Sequence, residues 1–174
     1  MRLVSAKLRD LRELYIHSLQ KALDMEEQIA TALPAMIEKV TDTHLKQLFQ
    51  SHLEETEIHF TLVKGLLLDG AEGEANPIQC KVLASLAAEA EDTMKDASDP
   101  SVRDAALIAA GQQVGHYEMA VYGTLRTWAG ILGEMAHAEI LEQILEDERQ
   151  ADILLTEVAG RVNHHAEIHV RHAA

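Results

Sequence analysis

The stretch His52-Leu-Glu-Glu-Thr-Glu-Ile-His59 lies within an apolar run, among Leu45, Leu48, Phe49, Leu62, Val63 and Leu66. At about 100° per residue, the helical step, His52, Glu55 and His59 fall on the same face as those apolar side chains, and Glu54 and Glu57 fall outside. A second inward pair, Glu148 and Asp152, sits in the line Leu141, Ile144, Leu145, Leu155 and Ala159, with the same four-residue spacing as Glu55 and His59. Glu26 is a lone acid between Ala22 and Ile29 on another apolar line. A further line runs Ile108, Gln112, Met119 and Gly123, with His116 at its edge. Four carboxylates, Glu26, Glu55, Glu148 and Asp152, are therefore expected to point inward. Bare charges in a core are costly and must be neutralised. Two divalent cations match their nominal charge, and oxygen with imidazole donors suits iron or manganese, with zinc as a further candidate. Any one of these acids alone reads as a helix-end group or half of a buried ion pair, with Arg126 as a partner. Three helices each offering an inward acid, two with a second ligand type one turn away, favour a shared metal.

Four long helices must position these residues. The first spans about 4–40, with apolar positions stepping by three or four residues and Pro34 as an expected kink. "TDTH" breaks it, with Thr41 or Asp42 as N-cap. The second spans about 43–68 and ends at the glycine-rich "DGAEGEANP". A shorter helix over about 78–95 follows, and Asp99-Pro100 then favours a new helix start. The third long helix spans about 102–128. "AGILGE" turns the chain at Gly130 and Gly133, and the fourth runs over about 135–162. Short turns within each pair and a long middle connection carrying its own helix predict an all-α, ferritin-like four-helix bundle over residues 1–163. A His-rich tail, 164–174, holds His164, His165 and His169, and is expected to be a solvated end.

Composition narrows the function classes. Aromatic residues make up 3% of the 174 positions, too few for a strand-rich domain. A net charge of -14 repels phosphate backbones and argues against nucleic-acid binding. Cys80 is the only cysteine, so no intrachain disulfide forms, as suits a reducing compartment. The charged N-terminus lacks a signal core, and no apolar run approaches a membrane span. A cytoplasmic protein with no membrane partner is expected.

Four blocks, "LYIHSLQKALDMEEQIATALPAM", "LKQLFQSHLEET", "DAALIAAGQQVGHYEMAVYGTL" and "ILEDERQADILLTEVA", occur in an order that resembles the YciE/YciF-type ferritin-like stress proteins. The resemblance covers nearly the whole chain apart from the His-rich tail. It implies a ferritin-like fold, a homodimer, a di-metal centre and a link to bacterial stress responses. It places Glu26 at the acid of the first-helix motif, Glu55 at the second acid of "HLEET", and Glu148 with Asp152 at the acids of the last block. His59 stands where the family often has glutamine. One departure matters: where the family reads Glu-His-Tyr-Glu, this chain reads "GHYE", so Gly115 replaces an acid. The site is then expected to hold two irons, or one, with His116 ranked above Glu118 as the substitute ligand.

With iron bound, the expected chemistry is oxidation of Fe(II) by O2 or H2O2, the protein fixing geometry and electrostatics. Tyr15 and Tyr122, near the inner faces, are read as core residues first and as electron relays second. The rival reading is a non-catalytic dimeric bundle used as a scaffold. An iron-storing cage has no surface feature to recommend it.

Overall fold

The computed structural model of the protein describes residues 8–70 and 74–172, with side-chain surroundings through 168. Among these residues there are five helices and no strands: α1 (Leu11–Lys39), α2 (Thr43–Gly70), α3 (Lys81–Asp96), α4 (Pro100–Leu132) and α5 (Met135–His172). The expected start of the first helix near Val4 lies outside the described residues. α1 instead begins after Asp10, whose side chain accepts from the Glu13 N–H, and it passes Pro34 without ending. Asp99 caps α4 by accepting from the amides of Ser101 and Val102, with Pro100 at the first helical position. Gly133 ends α4 at φ 80°, a left-handed conformation that costs a glycine little. Gly130, expected in the turn, remains helical. α5 runs through 162 without a break to His172, so residues 164–172 form its last turns.

α1 pairs with α2 and α4 with α5 as two hairpins, and contacts between α1 and α4 and between α2 and α5 close the square. This is the ferritin-like four-helix bundle. The helix ends show the directions. At one end Arg12 of α1 reaches Glu134, just before α5, at 2.7 Å. There Tyr15 and Asp69 both engage His137, at 3.0 and 2.9 Å. At the other end Asp104 of α4 meets Thr41 and Asp42, and Arg161 of α5 meets Asp42. α2 and α4 are therefore parallel diagonals, and the chain must travel the length of the bundle between them. α3 makes that journey, packed on α4 and α1. Its start is pinned to α1: the Cys80 N–H donates to Asp24 at 2.7 Å, and the Ile78 N–H donates to the Gln20 carbonyl at 3.1 Å.

Leu19, Met25, Leu45, Leu67, Leu107, Leu125, Leu141 and Ile144 are fully buried between the helices. No helix of the described residues is long and apolar enough to cross a membrane.

Asp42 is the N-cap of α2. It accepts from the amides of His44 and Leu45 at 3.1 and 3.0 Å and pairs with Arg161. The guanidinium hydrogen bond, with the capping amides, holds its carboxyl down at about 2. A folded-state value below the unfolded one gives stability that is present above the ordinary aspartate range and lost as pH falls through about 2. Urea unfolding of Asp42→Ala at neutral pH is expected to show a loss of about 1–2 kcal/mol, mostly from the cap, since half-exposed ion pairs contribute little. The gap between variant and wild type should narrow as pH falls from about 4 to about 2; a gap constant over that range would refute the ion-pair assignment.

Candidate metal centre

The inner line of α2 is Leu45, Phe49, Thr56, His59, Val63 and Leu66, with His52 beside it. His59 is 1% exposed and His52 mostly buried. Glu26 of α1 is 0% exposed, Glu148 of α5 is 1% exposed, and Glu118 of α4 is 0% exposed. These five side chains come from four helices and share one stretch of the bundle interior. One ligand atom from each of His52, Glu118 and Glu148 lies within 4.8 Å of the others.

The electrostatics of the cluster follow from its burial. Burial raises the Glu26 carboxyl to about 7, with His59 and the Tyr122 hydroxyl pulling the other way. Burial, and then the charges of Glu148 and Glu26, hold the Glu118 carboxyl well above its usual range. Burial works against a charged His59, but Glu148, Glu26 and Asp147 outweigh it and raise the imidazole to about 9. Burial opposes charge on His52 too, and Glu55, Glu148 and Glu26 together overcome it. Among the described residues no lysine or arginine pairs with Glu26, Glu118 or Glu148. Arg126 instead binds Glu142 at the surface.

Hydrogen bonding leaves the cluster short of partners. Tyr122 donates to Glu26 Oε1, but Glu26 Oε2 and both oxygens of Glu118 and Glu148 are buried without a hydrogen bond. His52 Nδ1, His59 Nδ1 and Thr56 Oγ1 are in the same position. His59 Nδ1 comes within 3.3 Å of Glu148 Oε1, out of hydrogen-bond alignment. Its Nε2 lies 3.2 Å from Asp147. With Asp147 accepting from Nε2–H, a cation that displaces the Nδ1 proton would meet an Nδ1 lone pair facing the interior, the usual support of a metal-binding imidazole. Buried polar groups are normally satisfied, so this many orphaned oxygen and nitrogen donors facing one another fit a cation. The donor set suits iron or manganese.

Glu26, His52, His59 and Glu148 thus meet as the sequence suggests. Three other residues from that reading do not join them. Glu55 keeps a side chain 42% exposed and only approaches His52, at 3.8 Å, because Thr56 takes the inward position of that turn. His116 is 64% exposed and lies 3.3 Å from Asp152 at the rim. Asp152 also accepts from Gln112 at 3.3 Å and lies off the buried cluster. The ranking of His116 over Glu118 is reversed. The buried line of α4 is Leu107, Ile108, Glu118, Tyr122, Leu125 and Ala129, turned by about one residue from the line drawn through Gln112 and Met119. α4 packs against α1, α3 and α5, so apolar residues surround it on several sides and blur its phase. Tyr15, read as lying near the inner face, is buried and bonds His137 at the bundle end.

Comparison with known proteins gives a consistent picture. Residues 10–167 match the model of a family described as a domain of unknown function, DUF892. Protein YciF of Escherichia coli is 35% identical over 161 residues, covering 92% of this chain and 97% of YciF. The crystal structure of the Escherichia coli stress protein YciF aligns with TM-score 0.85 at 33% identity, over 90% of this chain and 99% of that one. YcfI of Rhodopseudomonas palustris, provisionally described as a structural protein, aligns with TM-score 0.84 at 34% identity, over 88% of this chain and 98% of that one.

Proposed function

The chain belongs to the DUF892 family of YciF-type proteins, and from that premise we propose that its bundle holds a metal centre, with iron as the metal, serving a stress response. The carrying observation is the convergence of His52, Glu118 and Glu148 within 4.8 Å, in a core where their oxygens have no other partner. In this reading His52, Glu118 and Glu148 hold one ion, and Glu26 and His59, which share Glu148 as a neighbour, supply the donors for a second. When bound, iron would supply the oxidation of Fe(II) by O2 or H2O2. The protein's own part is positional. Asp147 fixes the His59 tautomer, and the Tyr122 hydroxyl orients Glu26. The expected assembly is a homodimer.

The test is an anaerobic Fe(II) titration of the metal-free protein followed by one addition of air. We expect at least one tightly bound ion per chain and, after air, a rise in the near-ultraviolet absorption of carboxylate-bound ferric iron. Tight binding with no change on adding air would remove the oxidase and keep the metal site. Absence of tight binding would remove both and leave the non-catalytic bundle.

A further inference from the structure

One side of the bundle core is not filled. A cavity of about 170 Å³ lies between the helices, walled by Ile29, Leu33, Leu48, Phe49, Leu83 and Leu155. Cavities of roughly 150 Å³ lined by leucine, isoleucine and phenylalanine stay dry and hold benzene. This one differs from a packing flaw in where it leads. Its lining includes His52, Gly115 and Glu148, so its inner end is the donor cluster itself. Glu148 is 1% exposed and neither of its carboxylate oxygens has a hydrogen-bond partner. Gly115 leaves the opening: a Cβ there would meet only Glu148 Oε2, at 3.9 Å, so nothing else stands between the backbone of α4 and the carboxylate.

We propose that this cavity is a binding site for a small, neutral, apolar organic molecule, held by the apolar wall of Ile29, Leu33, Leu48, Phe49, Leu83 and Leu155, with its inner end at the gap beside Gly115. The size of the cavity suits about six to eight non-hydrogen atoms, a simple arene or a short branched alkane. Charge selects against organic anions: Glu55, Asp147, Glu148 and Asp152 line the cavity, and among the described residues no lysine or arginine does. α3 forms part of the wall through Leu83, Leu86 and Ala87, so the helix of the crossover has a role in shaping the site as well as in connecting the hairpins. That the guest sits beside a metal, as its organic substrate or effector, rests on the reading above; the binding itself does not.

Fluorobenzene is the probe, followed by fluorine NMR on the metal-free full-length protein, with benzoate as the anionic control. Saturable binding of fluorobenzene, with benzoate excluded, is the expected result. Gly115→Leu puts an alkyl group into the inner end, at a position where leucine favours the helix more than glycine does. Ala87→Phe fills the cavity from α3, a helix that carries none of the donors. Both variants should bind fluorobenzene at least tenfold more weakly than wild type, while Ala87→Phe takes up Fe(II) as wild type does. Fluorobenzene that fails to saturate, or that binds both filled variants as well as wild type, overturns the proposal. An iron titration that fails while fluorobenzene still binds would sink the metal reading and leave the cavity site standing.

Discussion

Glu118→Leu is expected to make the metal-free protein more stable and to abolish its stabilisation by metal. Glu118 is wholly buried, its two oxygens have no hydrogen-bond partner, and the charges of Glu148 and Glu26 oppose its ionisation. Such a group costs the fold energy in every protonation state. When ionised it is a charge beside two other acids in a poorly polarisable core, and when protonated it can donate to Glu148 alone, leaving its other oxygen without a partner. A leucine fills nearly the same volume without either cost. Replacement of buried charged clusters by apolar residues of similar size stabilises proteins by about 1–4 kcal/mol where it has an effect. For a chain of this length that is a rise in Tm of roughly 2–15 °C. Wild type at a free metal concentration a hundredfold above Kd should gain about 2.7 kcal/mol, and the variant almost none. The two effects have opposite signs, which a generic core mutation would not produce. A fall in the metal-free Tm would show that Glu118 is a satisfied structural residue and that the cluster is not held open for a cation.

Asp104→Ala should produce the largest loss of stability of any single polar substitution outside the cluster. Its carboxylate is 2% exposed and accepts three hydrogen bonds: from the Thr41 N–H at 2.9 Å, the Thr41 hydroxyl at 2.6 Å and the Asp42 N–H at 2.8 Å. All three donors belong to the link between α1 and α2, whereas Asp104 is on α4. The residue therefore ties one hairpin to the other at the point where the chain reverses. Hydrogen bonds to a charged acceptor contribute about 1.5–3 kcal/mol each when isolated, and they are not additive within one carboxylate. A total loss of roughly 2–4 kcal/mol is expected, which lowers Tm by about 5–15 °C. Asp104→Asn should lose nearly as much, because its amide presents donors where two oxygens are needed. Equal stability of Asp104→Asn and wild type in urea unfolding would show that one of the two carboxylate oxygens suffices.

The bundle was legible because its breaks are chemically distinct. Asp42, Pro100 and Gly133 mark helix ends by mechanisms that operate locally, so a reader of the chain finds them without tertiary information. The end of α5 was less legible. Its last turns are rich in histidine and polar residues, yet Val162 and Ala166 continue the buried line at four-residue spacing. The site divides in the same way. α1, α2 and α5 each have one well-defined apolar stripe that carries Glu26, His59 and Glu148 inward, but the stripes of α2 and α5 are narrower than the sequence suggests and leave Glu55 and Asp152 at their margins. α4 has neighbours on several sides, so its stripe is broad and its inward residue could not be fixed to within one position. That is how Glu118 was ranked too low and His116 too high. Asp147 is a different kind of omission. It lies on the margin of α5, and only the docking of α2 against α5 brings it to the His59 ring.

On the metal-centre proposal, the sharing of the donors between the two hairpins bears on the order in which the protein would acquire the ion. The α1/α2 hairpin brings Glu26, His52 and His59, and the α4/α5 hairpin brings Glu118 and Glu148. Each hairpin is built from contacts close in sequence and can form early, whereas the docking of one on the other closes a much longer loop. Neither half alone contains the trio of His52, Glu118 and Glu148. During synthesis the first hairpin is complete before α4 exists, and it then carries two imidazoles and an acid with nothing opposite them. A tight site would therefore arise only once the last helix has emerged and docked, and the proposed ion would find no complete donor set on an unfinished chain.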